Sequence, residues 1–415
     1  MEALDDFGKT IQETFKGPWA PPYHDVMGTF IGWIIAGVLL LALIITVIVQ
    51  GFDYYTPANL VTHSNAFIKT WEPVYGAASA GRKSLAELLV KLQKDQQIQP
   101  AQKCLSNFYI MTANAGGMFL PGEGGNLSIC SNEALSYTLR AGCRGFVFDV
   151  IERLQEKGKP VIMTVDADPS KKWRQLSMNY VPFRDPINRL RAEAFGEGSM
   201  GQTQVVQLKN TADPIFIYLR FLKRHTPAFY NAVADAIDNA FKDYKLDYTW
   251  ASGRRGSDFY TTNIEEFMGR IIIVSNQMPS GTRLQEMINI VSPSSLPSFY
   301  TSADVSNITA DQIPKSQGII QQNICLAMNP SETPDGQQNK LDWRRAHSLG
   351  IQMVAMNFFN KNVQDYRNFF GEYSFAMKPQ ALRYSVKVGS SPNRPGPEAD
   401  MKGGKIDSPS MVLRT

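Results

Sequence analysis

ALSYTLRAGCRGFVFDV, residues 134–150, begins in a helical pattern, breaks at Gly142 and continues as an apolar strand. A helix that turns directly into a buried strand is the repeating half of an α/β fold, and the same alternation recurs on either side. Upstream, NFYIMTANAG (107–116) is a run of strand formers that ends in small residues. Downstream, KPVIMTV (159–165) and DPIFIYLRF (213–221) are β-branched or aromatic runs, each introduced by a proline. These four make a first half. RIIIVSNQM (270–278) and NICLAMN (323–329) supply a fifth and sixth strand, LDWRRAHSLGIQMVAMNFFN (341–360) a seventh, and GEYSFAMKPQALR (371–383) an eighth. One intervening helix is plain: Thr226 suits an N-cap, Pro227 the first turn, and Phe229, Val233, Ile237 and Phe241 share a face. Eight strands separated by helix-length segments over 104–384 are what a (β/α)8 TIM barrel needs.

Gly142, Cys143, Arg144 and Asp149 resemble the "GCR…ELD" segment of the phosphatidylinositol-specific phospholipase C family. The 341–360 stretch is similar to that family's tryptophan, glycine and "QMVALNFQ" signature, and 371–383 to its closing "GYLLKPEFLR". The resemblance implies a phospholipase C-type barrel in two halves, 104–225 and 270–384. It also implies a histidine as general base, a second histidine as general acid, and a calcium ion held by an asparagine and carboxylates.

The matching positions have lost most of that chemistry. Where the first histidine belongs stands Ala113; the nearest equivalent of the second is Asp166. A carboxylate is a poor acid toward an alkoxide at neutral pH unless burial raises its pKa by about three units. Of the calcium positions, Asn114 and Asp149 remain, whereas two glutamate positions hold Val147 and Arg220. Calcium takes about 6–8 oxygens, so this metal site is expected to be an empty remnant in which Arg220 neutralises Asp149. The lysines of the family's fifth strand are replaced by Val274 and Asn276, which leaves Arg270 as the cation there. The four histidines, His24, His63, His225 and His347, all lie away from the expected base position. No GxSxG, HExxH, P-loop or paired CxxC pattern offers a substitute. The basic and aromatic segment 173–191 reads as a solvated loop and helix face.

Upstream of the barrel, residues 28–49 carry 22 consecutive uncharged positions, about 33 Å as a helix, which predicts a transmembrane span over 28–50. Trp33 and the pair Tyr54 and Tyr55 suit its interfaces. The 27 residues before it are too mixed for a cleavable signal, and Phe7, Ile11 and Phe15 predict a short amphipathic helix there. In the linker 51–103, Ser84 and Glu87 form a capping-box pattern ahead of Leu85, Leu88, Leu89 and Leu92, a helix leading to the barrel floor. The tail 385–415 has a composition that does not bury a core. Cysteines at 104, 130, 143 and 325 lack a framework spacing and read as free buried thiols, which suits a reducing compartment. Arg82 and Lys83 lean the barrel toward the cytoplasmic side.

A net charge of +4 with 43% hydrophobic residues gives no nucleic-acid footprint. These features together predict a single-pass membrane protein whose inactive barrel is a structural component of a larger protein assembly, with no cofactor and the bilayer as partner. The membrane and capsid of a large virus, where an anchored barrel would tie lipid to shell in the virion, is a setting of that kind. Two alternatives stand beside it: an active, calcium-dependent phosphodiesterase with a rebuilt site using Asp166 and Asp149, and a phosphoinositide-headgroup binder in which Arg220 and Arg270 hold a phosphate.

Overall fold

The computed structural model describes residues 31–46, 69–71, 73–75, 82–121, 128–152, 157–163, 165–166, 174–175, 177–196, 208–252, 258–293, 298–328, 339–360 and 362–384. The amphipathic segment of 1–27, the ends of the apolar run at 28–30 and 47–50, and the tail 385–415 lie outside the described residues.

Eight parallel strands form the sheet: β1 (Phe108–Ala113), β2 (Gly145–Glu152), β3 (Ile215–Arg220), β4 (Ile271–Ser275), β5 (Ile290–Val291), β6 (Phe299–Tyr300), β7 (Leu326–Ala327) and β8 (Met353–Met356). The hydrogen-bonded path runs β5-β4-β3-β2-β1-β8-β7-β6, so spatial order follows chain order around a curled sheet. The first and last strands are in register at Ile110 with Met353 and Ala113 with Met356. Side chains alternate across each strand. Phe108, Ile110, Val147, Phe216, Tyr218, Ile272, Val274, Ile290, Phe299, Leu326 and Met353 meet in one inner cluster fed by all eight strands. Ile290 and Phe299, on the two ends of the hydrogen-bonded path, share that cluster, so packing joins β5 to β6.

The outer face is covered by α1 (Leu85–Lys94), α2 (Asn132–Arg140), α3 (Arg184–Ala194), α4 (Pro227–Phe241), α5 (Arg283–Met287), α6 (Ser302–Asn307), α7 (Ile313–Gln321), α8 (Trp343–Ser348) and α9 (Val363–Phe369), except that α1 closes the N-terminal end. Ser84 and Glu87 form the predicted capping box, and Leu85, Leu88, Leu89 and Leu92 join the inner cluster. Leu85 N–H donates to Asp213 at the base of β3 over 2.7 Å, which fixes α1 as a floor under the strands. On α4, the Thr226 side chain caps Phe229, and Phe229, Val233, Ile237 and Phe241 are buried as the spacing predicts.

Two predicted barrel strands sit elsewhere. Pro160–Ile162 pairs antiparallel with the outer end of β2, and Phe375–Met377 pairs antiparallel with the lower half of β1. An apolar run signals burial and carries no strand direction, which is why both were placed in the parallel set. β5 and β6, two residues each, fill out the eight in their stead. The four cysteines are free and buried. Residues 31–46 are helical, about 24 Å long, with Trp33 74% and Leu43 62% exposed. Among the described residues no helix is long and apolar enough to cross a membrane; the predicted span 28–50 lies partly outside them.

Candidate functional site

In a parallel barrel the side chains that do chemistry project from the C-terminal strand ends. Ala113, the last residue of β1, is fully buried and leads into a turn in which Ala115, Gly116 and Gly117 have φ of 47°, 63° and 68°. A Cβ at Gly116 would stand 2.2 Å from Phe148 Cε1, so only glycine lets the turn lie on β2. Asn114 opens this turn, and its Oδ1 accepts from the adjacent Ala115 N–H at 2.8 Å.

On β2 the alternation sends Val147 into the apolar inner cluster and Asp149 into the layer above it. Register pairs Asp149 with Arg220 on β3. Their side chains meet in a two-pronged ion pair, Nε to Oδ1 at 2.5 Å and Nη2 to Oδ2 at 2.7 Å, each side chain 4% exposed. Burial works against the guanidinium's charge, but the Asp149 carboxylate and its hydrogen bonds prevail and hold Arg220 above its ordinary range. Both carboxylate oxygens are thus engaged by a fixed cation, Val147 offers no oxygen, and Asn114 Oδ1 is bonded within its own turn. This donor set does not fit calcium. Among the described residues no group of three His, Cys, Asp or Glu side chains comes together.

Other predicted residues lie apart from this pair. Arg270 precedes β4 at the opposite end of the barrel, level with Pro214, about 20 Å along the strand from Arg220. Its guanidinium donates to the Asp243 carbonyl at 2.9 Å. The two arginines therefore do not share one phosphate; charge type was legible in the sequence, strand end was not. Asp166 lies in a two-residue strand paired antiparallel with Arg174–Gln175, outside the parallel sheet; its side chain is outside the described residues. Asn276 clamps the end of β3, accepting from Phe221 N–H at 2.8 Å and donating to its carbonyl at 2.9 Å.

Sequence reasoning missed the loops after β3 and β4, which enclose a cavity of about 450 Å³ lined by Arg224, His225, Tyr230, Gln277, Ser280 and Thr282 among others. His225 Nδ1 lies 3.4 Å from Glu152 Oε2, and the ring stacks on Phe229 at 4.1 Å. Burial lowers the His225 pKa more than Glu152 raises it. The Gly158 N–H, at 2.6 Å, lowers that of Glu152. A histidine and an arginine just before a capped helix, at the C-terminal end of a strand, were the available signal.

The strand order and its helical cover define an α/β barrel, a fold shared with phospholipase C structures. The chain is similar to the crystal structure of L. pealei PLC21, with a TM-score of 0.51 and 13% identity over 69% of this chain and 38% of that one. It is also similar to S. officinalis PLC21, at 0.47, 13%, 69% and 38% respectively. A third likeness is to the calcium-dependent phosphoinositol-specific phospholipase C of Pseudomonas sp, at 0.38, 9%, 68% and 98%. At such identity the first likeness speaks for the fold alone, and the chain spans 38% of the length of the first two structures. No protein-family model matches the chain, and no curated protein does.

Proposed function

We propose that this chain is a catalytically inactive phospholipase C-like barrel held at a membrane, where it serves as a structural component of a protein assembly. The observation that carries the reading is the Asp149–Arg220 pair. A guanidinium with both prongs on the retained carboxylate occupies the charge a metal would need, and expelling it would leave a buried unpaired cation. Ala113 adds no proton-transfer group at the end of β1.

Membrane attachment is supported by the 31–46 helix, whose apolar side chains, Leu39 at 64% exposure among them, have no protein cover. In the sequence the uncharged run continues on both sides of it, and we assign the whole of 28–50 to the bilayer. A membrane lying against a protein shell, as in a large virion, suits an anchored barrel without turnover.

The test is phosphatidylinositol hydrolysis by the purified full chain with calcium supplied, read together with calcium calorimetry. Absence of both binding and turnover is expected. Calcium-dependent turnover that Asp149→Ala abolishes would overturn the reading. Release of the chain from membranes by alkaline carbonate would overturn the anchor.

A further inference from the structure

Residues 142–144, Gly-Cys-Arg, lead into β2 at the end of the strand opposite Asp149, and Cys143 is fully buried in the outer layer. Arginines from three separate parts of the chain act on that thiol: Arg144 beside it, Arg82 from the chain entering α1, and Arg367 from the last turn of α9. They are 0%, 7% and 3% exposed. A guanidinium this deep is costly unless an anion meets it. None of the three forms an ion pair among the described residues.

Their hydrogen bonds go to neutral oxygens. Arg82 Nη1 donates to the Gly371 carbonyl at 3.2 Å and to that of Tyr373. Arg144 reaches the Cys143 and Asn210 carbonyls at 2.9 and 3.1 Å, and Arg367 reaches Gln364 Oε1 at 2.9 Å. The Nε of Arg144 and that of Arg367 have no hydrogen-bond partner. Among the described residues Asp213 is the one carboxylate felt by the group, and Arg144 alone feels it. Burial first, and then Arg367 and Arg144, pull Arg82 down to about 10, so it stays charged at neutral pH.

Shape holds the group together. Gly142 has a φ of 107°, and a Cβ there would stand 2.3 Å from Arg82 Cδ, so glycine is what lets the Arg82 side chain lie across the approach to β2. Arg367 sits over the Tyr75 ring at 4.5 Å, and Tyr75, itself fully buried, stacks on Trp71 at 5.5 Å and donates its hydroxyl to the Phe358 carbonyl. Tyr75 and Arg82 both belong to the chain between the 31–46 helix and the barrel, so the cations gather where that linker is fastened down.

We propose that Arg82, Arg144 and Arg367 form a buried site for a small tetrahedral oxyanion, phosphate or sulfate, which locks the linker onto the barrel. Guanidinium forks match the paired oxygens of such an anion, and an anion shared by Arg82 and Arg367 replaces repulsion between linker and α9 with attraction. The site lies away from the mouth and goes beyond the reading of the chain as an inactive scaffold; it would fasten the linker of an enzyme equally.

The test titrates inorganic phosphate and sulfate calorimetrically into the full chain in detergent, with hydrogen exchange at Lys83 as a second readout. The Lys83 N–H donates to the Glu372 carbonyl at 2.8 Å, where the linker meets the barrel. Saturable binding of at least one anion is expected, weakened roughly tenfold or more by Arg82→Gln and by Arg367→Gln and unchanged by Arg224→Gln, an exposed cation at the mouth. Bound anion is expected to slow exchange at Lys83 in the wild type and to have no effect on it in Arg367→Gln. If Arg82→Gln fails to fold, Arg367→Lys, which keeps the charge and loses the fork, is still expected to weaken binding. Failure of both anions to bind, equal weakening by Arg224→Gln, or Lys83 exchange indifferent to bound anion overturns the proposal.

Discussion

The two ends of the barrel treat buried charge in opposite ways. At the mouth, Asp149 and Arg220 satisfy each other with two short hydrogen bonds. At the floor, Lys378 is fully buried with its Nζ lacking a hydrogen-bond partner, and the His347 ring, 4.3 Å from Tyr109, leaves both nitrogens unpartnered. Burial alone pushes Lys378 down to about 7 and His347, with help from Lys378, to about 3. The end where chemistry would occur is electrostatically settled, and the end that serves only structure is left under tension. The mouth pair leaves neither oxygen of its carboxylate without a partner.

The harshest break of this comparison is Arg220→Ala. It strands a buried carboxylate and is expected to cost about 3–5 kcal/mol in urea unfolding. The double change Asp149→Leu with Arg220→Met is expected to be near neutral or stabilising. A double variant as unstable as Arg220→Ala would mean that the pair itself organises the mouth.

Lys378→Met probes the opposite end. Because the folded barrel favours the neutral amine, the unfolded chain binds more protons between about 7 and the ordinary lysine range near 10.5. The Lys378 contribution to stability is therefore expected to climb as pH rises through that window, with its full penalty present below about 7, and is read most cleanly between about 7 and 9, below the ordinary range of the buried thiols. The variant is expected to be roughly 2–4 kcal/mol more stable at neutral pH, with that slope removed. Asp213, raised to about 6 chiefly by burial, acts below the window and does not blur it.

Smaller effects sharpen the contrast. Gly116→Ala places a Cβ against Phe148 at a positive φ, and about 1–3 kcal/mol of destabilisation is expected at the mouth. Ser84→Ala removes the N-cap of the floor helix, for about 1 kcal/mol, read by hydrogen exchange in α1.

Strands β1, β2, β3, β4, β7 and β8 were legible as apolar runs, as were the caps of α1 and α4, because burial and capping leave local marks. The 160–162 and 375–377 segments were read as parallel because direction depends on what a strand meets in space. β5 and β6 are too short for any periodicity to show. At the site, the pairing of Asp149 with Arg220 was expected from the family positions they match, while Arg270 carried no sign of which strand end it occupied. The His225–Glu152 contact joins residues 73 apart and had no local signal.

The strand Phe375–Met377 lies along β1 beside Phe108–Ile110, where β2 has not yet begun to pair. β1 is thus completed by chain that emerges more than 260 residues later, and during synthesis its edge stays open until the last of the barrel has been made. Protease resistance of chains arrested at increasing lengths is expected to appear only once Met377 is available, which makes the barrel's first strand the last to be finished.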